Sequence, residues 1–172
     1  MTDQLSSRIK SGPIGRTRRN HALEHATLQI LSGRYPKKSM AGYSMPEGFW
    51  IVGDVPTQDV QQAVDEARAR LSRGEYSLAV HPNCGTNFAL SGLAAGGAAW
   101  LALLGANSFH KKWERLPLAV MFATLAIIVT RPLGPLVQAR YTTDAHIGGL
   151  QVTAIYRHDR PELVLHHILT RS

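Results

Sequence analysis

Apolar and polar positions along this chain change period several times, and each change marks an element. From Asn20 to about Leu31, the apolar residues Leu23, Ala26, Leu28, Ile30 and Leu31 only partly follow helical spacing. Asn20 stands where an N-cap belongs, and Ser32 and Gly33 close the run. Met40 to Val55 reads as two short strands. Gly42, Pro46, Glu47 and Gly48 supply the turn, and Phe49-Trp50-Ile51-Val52 is the strongly β-prone run. After Pro56, Thr57 caps a predicted helix whose Val60, Ala63, Val64, Ala67 and Leu71 recur at three and four, up to Gly74. Tyr76 to Val80 alternates and predicts another strand.

The pattern then loses its polar half. Phe88 to Ala106 is nineteen residues without a charge, about 28 Å as a helix and close to the hydrocarbon thickness of a bilayer. Asn107 to Arg115 is a polar turn. Leu116 to Thr130 is a second uncharged run of fifteen, closed by Arg131, Pro132 and Pro135. Two such runs predict a transmembrane hairpin, with Trp100 and Trp113 as interfacial anchors and Gly92 and Gly96 as a close-packing pair. Two buried core helices are the alternative. Beyond the hairpin, Ile147 to Tyr156 alternates as a strand, and Pro161 to Leu169 reads as a terminal helix.

These elements predict an α+β fold, a small antiparallel sheet packed with helices and interrupted by the hairpin. The expected organisation is a basic flexible tail over 1–19, the first part of the α+β domain over 20–87, the hairpin over 88–138, and a final strand and helix over 139–172.

Charge and cysteine content narrow the chemistry. Lys and Arg number 19 against 12 Asp and Glu, giving +7. Sixteen of those cations lie outside the hairpin turn, and no apolar signal segment follows the basic start, so the soluble part is expected on the cytoplasmic side. There the tail, with Arg8, Lys10, Arg16, Arg18 and Arg19, would meet anionic lipid. Aromatic residues are not interleaved with these cations, which argues against nucleic acid as a partner. The one cysteine, Cys84, excludes an intrachain disulfide and any site built from cysteine alone.

The informative string is His21-Ala22-Leu23-Glu24-His25. On a helix, His21 and His25 share a face and can bind one metal ion, with Glu24 as base for a water that the metal activates. The alternative is an ordinary amphipathic helix with these residues on its polar face. A third ligand is expected from His81-Pro82-Asn83-Cys84-Gly85, either Cys84 as thiolate or His81 as neutral imidazole. Asp144 with His146 is a second candidate pair. His158, His166 and His167 are expected to face solvent, and His110 lies across the membrane from the motif. Imidazole and thiolate favour zinc.

The motif His21-x-x-Glu24-His25, followed by strand, strand, helix and strand, resembles the inverted-zincin metallohydrolases of the pitrilysin and mitochondrial-processing-peptidase type. S-ribosylhomocysteine lyase is similar in using the same inverted helix motif. The resemblance covers about residues 20 to 81. It implies a layered α+β fold with the motif helix on an antiparallel sheet, His21 and His25 as metal ligands, and Glu24 as general base. Peptidases of that type take a third ligand from a glutamate on a later helix, which nothing here matches, whereas the lyase uses a cysteine. They also pair two halves around the substrate, a role that a homodimer could fill here. His81-Pro-Asn-Cys-Gly-Thr-Asn87 and Arg131-Pro-Leu-Gly-Pro-Leu136, with the two-span hairpin, further resemble a bacterial membrane-protein family of unknown function.

The function expected from this reading is a membrane-anchored, zinc-dependent hydrolase acting on a peptide. One alternative is a non-catalytic membrane protein whose His/Cys cluster is a structural metal site or no site. Another is a lipid-surface or partner-binding module that works through its basic tail.

Overall fold

The computed structural model describes residues 12–161 and 163–171. The chain divides into two compact units. One runs to His81 and resumes at Gln138, and the other is Pro82–Val137.

In the first unit, helix α1 (Pro13–Arg34) is followed by strands β1 (Ala41–Met45) and β2 (Gly48–Val52), and then by helix α2 (Thr57–Ser72). One turn of 3-10 helix covers Tyr76–Ala79. After the second unit, a π-helical turn, Gln138–Thr142, leads to β3 (Gln151–Arg160) and β4 (Leu163–Arg171). The four strands form one antiparallel sheet in the order β1-β2-β4-β3. Phe49, Ile51 and Ile168 point from its inner face into a core shared with Leu23, Ala26 and Leu31 of α1 and Val60, Val64 and Leu71 of α2. Helix α1 lies against β1 and β2 and packs on α2.

The second unit holds two long apolar helices, α3 (Gly85–Leu103) and α5 (Leu116–Thr130), which pack on one another. Between them is the short α4 (Phe109–Glu114), and after them α6 (Leu133–Val137). The Ser108 hydroxyl caps α4 by accepting from the Lys111 amide at 3.3 Å. Helix α3 is long and apolar enough to cross a membrane, and only 6% of its span is buried. Helix α5 passes the same length test only when joined across its break to the bent segment Leu133–Thr142.

Several expectations are corrected. Helix α1 begins at Pro13, with Pro in its first turn, and not at Asn20. Residues 13–19 of the expected tail are therefore helical, while 1–11 lie outside the described residues. Asn20 is buried inside the helix, and its amide donates to the carbonyls of Met45 (2.8 Å) and Pro46 (3.3 Å). Pro56 takes the N-cap position of α2, and Thr57 is its first residue. Tyr76–Ala79 is helical because Leu78 and Ala79 are adjacent and both buried, which a strand covered on one face cannot achieve. The C-terminal segment is strand β4 and not a helix. Its apolar residues fit either period, and pairing with β2, whose two faces are both covered or apolar, decides the outcome. Strand β3 begins at Gln151, after Ile147 and Leu150 have been buried in the preceding loop.

His166, expected in solvent, is fully buried on β4. Its Nε2 pairs with the Thr57 hydroxyl at 3.1 Å, and its Nδ1 has no partner. Burial, with the Arg157 cation adding to it, pushes its pKa below the ordinary histidine value, against the pull of Asp159. Burial also lowers His167, with His158 adding to it. A histidine held neutral in the fold takes up its proton on unfolding, so stability is retained above the unfolded pKa of about 6.5 and falls as pH drops below it. Chemical denaturation of the full chain at pH 7.5 and 5.5 should show this loss, and His166→Gln should flatten it. Equal slopes for the two proteins would contradict the assignment.

Candidate metal centre

Every residue of α1 from Ala22 to Leu28 is buried, polar ones included. Buried polar groups need partners, and the partners here explain the local fold. Thr27 Oγ1 donates to the Leu23 carbonyl at 2.7 Å, and Thr170 Oγ1 donates to Asn20 Oδ1 at 2.7 Å. Four further side chains, Arg18, His21, His25 and Gln29, follow at spacings of three, four and four, and so form one stripe along the helix.

That stripe satisfies the backbone of two irregular segments. Arg18 Nη2 donates to the carbonyls of Arg140 and Thr143, each at 3.0 Å. His21 Nδ1 lies 2.9 Å from the Thr142 carbonyl, and His25 Nδ1 lies 2.8 Å from the Ala79 carbonyl. Gln29 Nε2 donates to the carbonyls of Leu78 (2.8 Å) and Val80 (3.0 Å). Three consecutive carbonyls, 78 to 80, thus bond to α1 side chains in place of a neighbouring strand.

The two histidine contacts fix the chemistry of the rings. A carbonyl oxygen only accepts, so each imidazole donates from Nδ1, which fixes the orientation of the ring and of its Nε2. Metal-binding histidines are commonly oriented in this way. The ring centroids are 4.2 Å apart at a tilt of 58°, and ring nitrogens able to act as ligands lie within 4.8 Å of one another. Glu24, only 3% exposed, turns to the sheet. The Ser44 hydroxyl donates to its Oε2, and β1 can come this close because residue 42 is glycine. A Cβ at Gly42 would stand 2.2 Å from Glu24 Oε1.

His81 flanks the pair, its ring centroid 5.6 Å from that of His25. Fully buried Gln138 clamps the His81 backbone from both sides. The His81 amide donates to Gln138 Oε1 at 2.8 Å, and Gln138 Nε2 donates to the His81 carbonyl at 3.0 Å. Cys84 is buried at the N-cap position of α3, with Sγ donating to Thr86 Oγ1 at 3.4 Å. His21 and His25 each offer a ring nitrogen, and the pair can contribute two donors to a metal ion.

The other candidates stand apart by their partners. The amide of His146 donates to Asp144 Oδ1 at 3.1 Å, and its exposed ring lies 4.6 Å from that of Tyr76. His158 and His167 sit beside Trp50 on the sheet, and His110 pairs with Glu114 at 3.2 Å. Sequence reasoning missed Arg18, Gln29, Ser44 and Gln138. The spacing of Arg18 and Gln29 on the histidine stripe was a usable signal, whereas nothing near Gln138 or Ser44 marked them.

The sequence profile of a family described as a domain of unknown function (DUF6391) matches residues 16–155, from α1 into β3. An uncharacterized protein of Picosynechococcus sp. is 42% identical over 97 residues, covering 49% of this chain and 47% of its own length. The chain thus spans about half the length of that relative. No solved structure matches.

Replacing Gln138 with Ala removes both bonds to the His81 backbone. Each buried group left without a partner costs about 1–3 kcal/mol, so the denaturation midpoint of Gln138→Ala should fall clearly. An unchanged midpoint would show that the clamp is dispensable.

Proposed function

The chain belongs to the DUF6391 family, and from its site we propose a membrane-anchored, zinc-dependent hydrolase that cleaves an amide bond in a peptide. The observation that carries this reading is the pair of Nδ1–carbonyl bonds of His21 and His25. They orient two imidazoles, one helical turn apart, toward a single cation. Cys84, by its position in the chain, would supply the third donor. It follows by three residues the clamped His81, whose ring adjoins that of His25. Two imidazoles and a thiolate suit zinc.

Zinc, when bound, would supply Lewis acidity. The chain supplies the rest. Glu24, three residues after His21, would accept a proton from the attacking water on its carboxylate, which the Ser44 hydroxyl holds. Gly42 keeps β1 close without displacing it. Helices α3 and α5 form the anchor, since apolar side chains such as Phe88, Leu93, Ile128 and Val129 are left open on their surfaces. The rest of the chain then lies on the cytoplasmic side, and a homodimer would complete the walls around a peptide.

A second reading follows from His81. Its ring, 5.6 Å from that of His25, can serve as a fourth protein ligand and close the site, making the metal structural. X-ray absorption at the zinc edge separates the two. Three protein donors plus an oxygen fit a hydrolase, and four protein donors fit a clip.

Protein purified without chelator should carry about one zinc per chain by elemental analysis, the stoichiometry of a single site. His21→Ala and Cys84→Ser should lose it. Glu24→Gln should keep the metal and lose hydrolysis of a peptide library by at least ~100-fold, the usual scale for a lost general base. Gly42→Ala should impair hydrolysis with zinc retained, because it forces the Glu24 carboxylate to move. Metal-free wild-type protein would end the proposal.

A further inference from the structure

The outer face of the sheet, opposite α1 and α2, carries a row of rings across all four strands. The register places Tyr43 opposite Trp50, Trp50 opposite His167, and His167 opposite Tyr156. Directly opposed residues share a face, and the alternation agrees, because Phe49, Ile51, His166 and Ile168 are buried on the other side. Tyr43 is 65% exposed and Tyr156 53%, so the two ends of the row are open to their surroundings, with Trp50 and His167 half-buried between them. Trp50 and His167 stack at 3.9 Å with their planes 5° apart, and His158 leans on Trp50 at 5.4 Å.

Beside this row lies a largely apolar hollow of about 380 Å³, lined by Trp50, His158, Arg160, Leu163 and Leu165. The charges on this face have one sign. Alternation along β3 and β4 puts Arg160 and Arg171 on it, with His158 and His167 between them. The one carboxylate among the described strand residues, Asp159, belongs to the opposite face, where Arg157 holds it at 2.8 Å. The partner must therefore be anionic and must also accept apolar and aromatic groups.

An anionic bilayer surface has both properties. Tryptophan and tyrosine settle at the headgroup level, and arginines gain from acidic lipid. Single-stranded nucleic acid fits less well, because it needs open ring faces for its bases, and Trp50 already uses one against His167. A second copy of the chain would bring like charges together.

We propose that the outer sheet face docks on an anionic lipid surface, with the Tyr43–Trp50–His167–Tyr156 row in the headgroup layer and Arg160 and Arg171 on acidic headgroups. This rests on the membrane anchoring proposed above, and adds a second lipid contact, made by the sheet.

The test uses the full chain with Trp100→Phe and Trp113→Phe, which leaves Trp50 as the sole tryptophan. The protein is reconstituted into vesicles of phosphatidylcholine, alone or with phosphatidylglycerol, with brominated acyl chains as quencher. Flotation with both vesicle types reports the anchor, and Trp50 fluorescence reports the sheet face. The expected result is a blue-shifted Trp50 emission, quenched severalfold more in the anionic vesicles. High salt or the pair Arg160→Glu and Arg171→Glu should reverse it. A chain that floats while Trp50 stays unquenched in anionic vesicles overturns this proposal alone. A chain that does not float overturns it together with the anchor. Protection of Trp50 by an oligothymidylate, or shielding that depends on protein concentration in detergent, would replace lipid with nucleic acid or with a second copy.

Discussion

The structure depends on side chains of one helix standing in for a missing strand. Arg18, His21, His25 and Gln29 of α1 satisfy carbonyls at 78 to 80 and 140 to 143, two stretches that pair with no sheet. Buried carbonyls without donors would each cost on the order of a hydrogen bond's desolvation. The stripe therefore fixes the path of the backbone just before the apolar hairpin and just after it. The same bonds set the tautomers of the two histidines, so one set of contacts does structural and chemical work together.

This double duty explains the burial of α1. A helix with its charged groups in water would show a clean apolar stripe. Here the apolar residues only partly follow the period, because Glu24, His25 and Thr27 are enclosed as well. Each finds a partner, Ser44 for Glu24, Ala79 for His25 and Leu23 for Thr27.

Much of this was legible in the sequence where one signal dominated. The β1–β2 hairpin, the helix from Thr57 and the second apolar run appear at the expected residues, because turn residues and periodicity there agree. The His21–Glu24–His25 spacing placed both imidazoles on one face. Reading failed where local pattern was ambiguous and distant pairing decided. Leu163 to Thr170 fits a helix or a strand equally, and only the open edge of β2 settles it. Tyr76 to Val80 alternates like a strand, yet its carbonyls are claimed by Gln29 and His25 from about fifty positions away. Gln138 was invisible for the same reason, since its meaning lies wholly in the backbone of His81.

The strand order has a consequence for biogenesis. β4 lies between β2 and β3, and the carbonyl that orients His21 belongs to Thr142, 121 positions later. During synthesis, the apolar hairpin therefore leaves the ribosome while β2 is still an unpaired edge and the first imidazole has no fixed tautomer. Closure of the sheet, and with it the orientation of that ring, must wait until the hairpin has emerged.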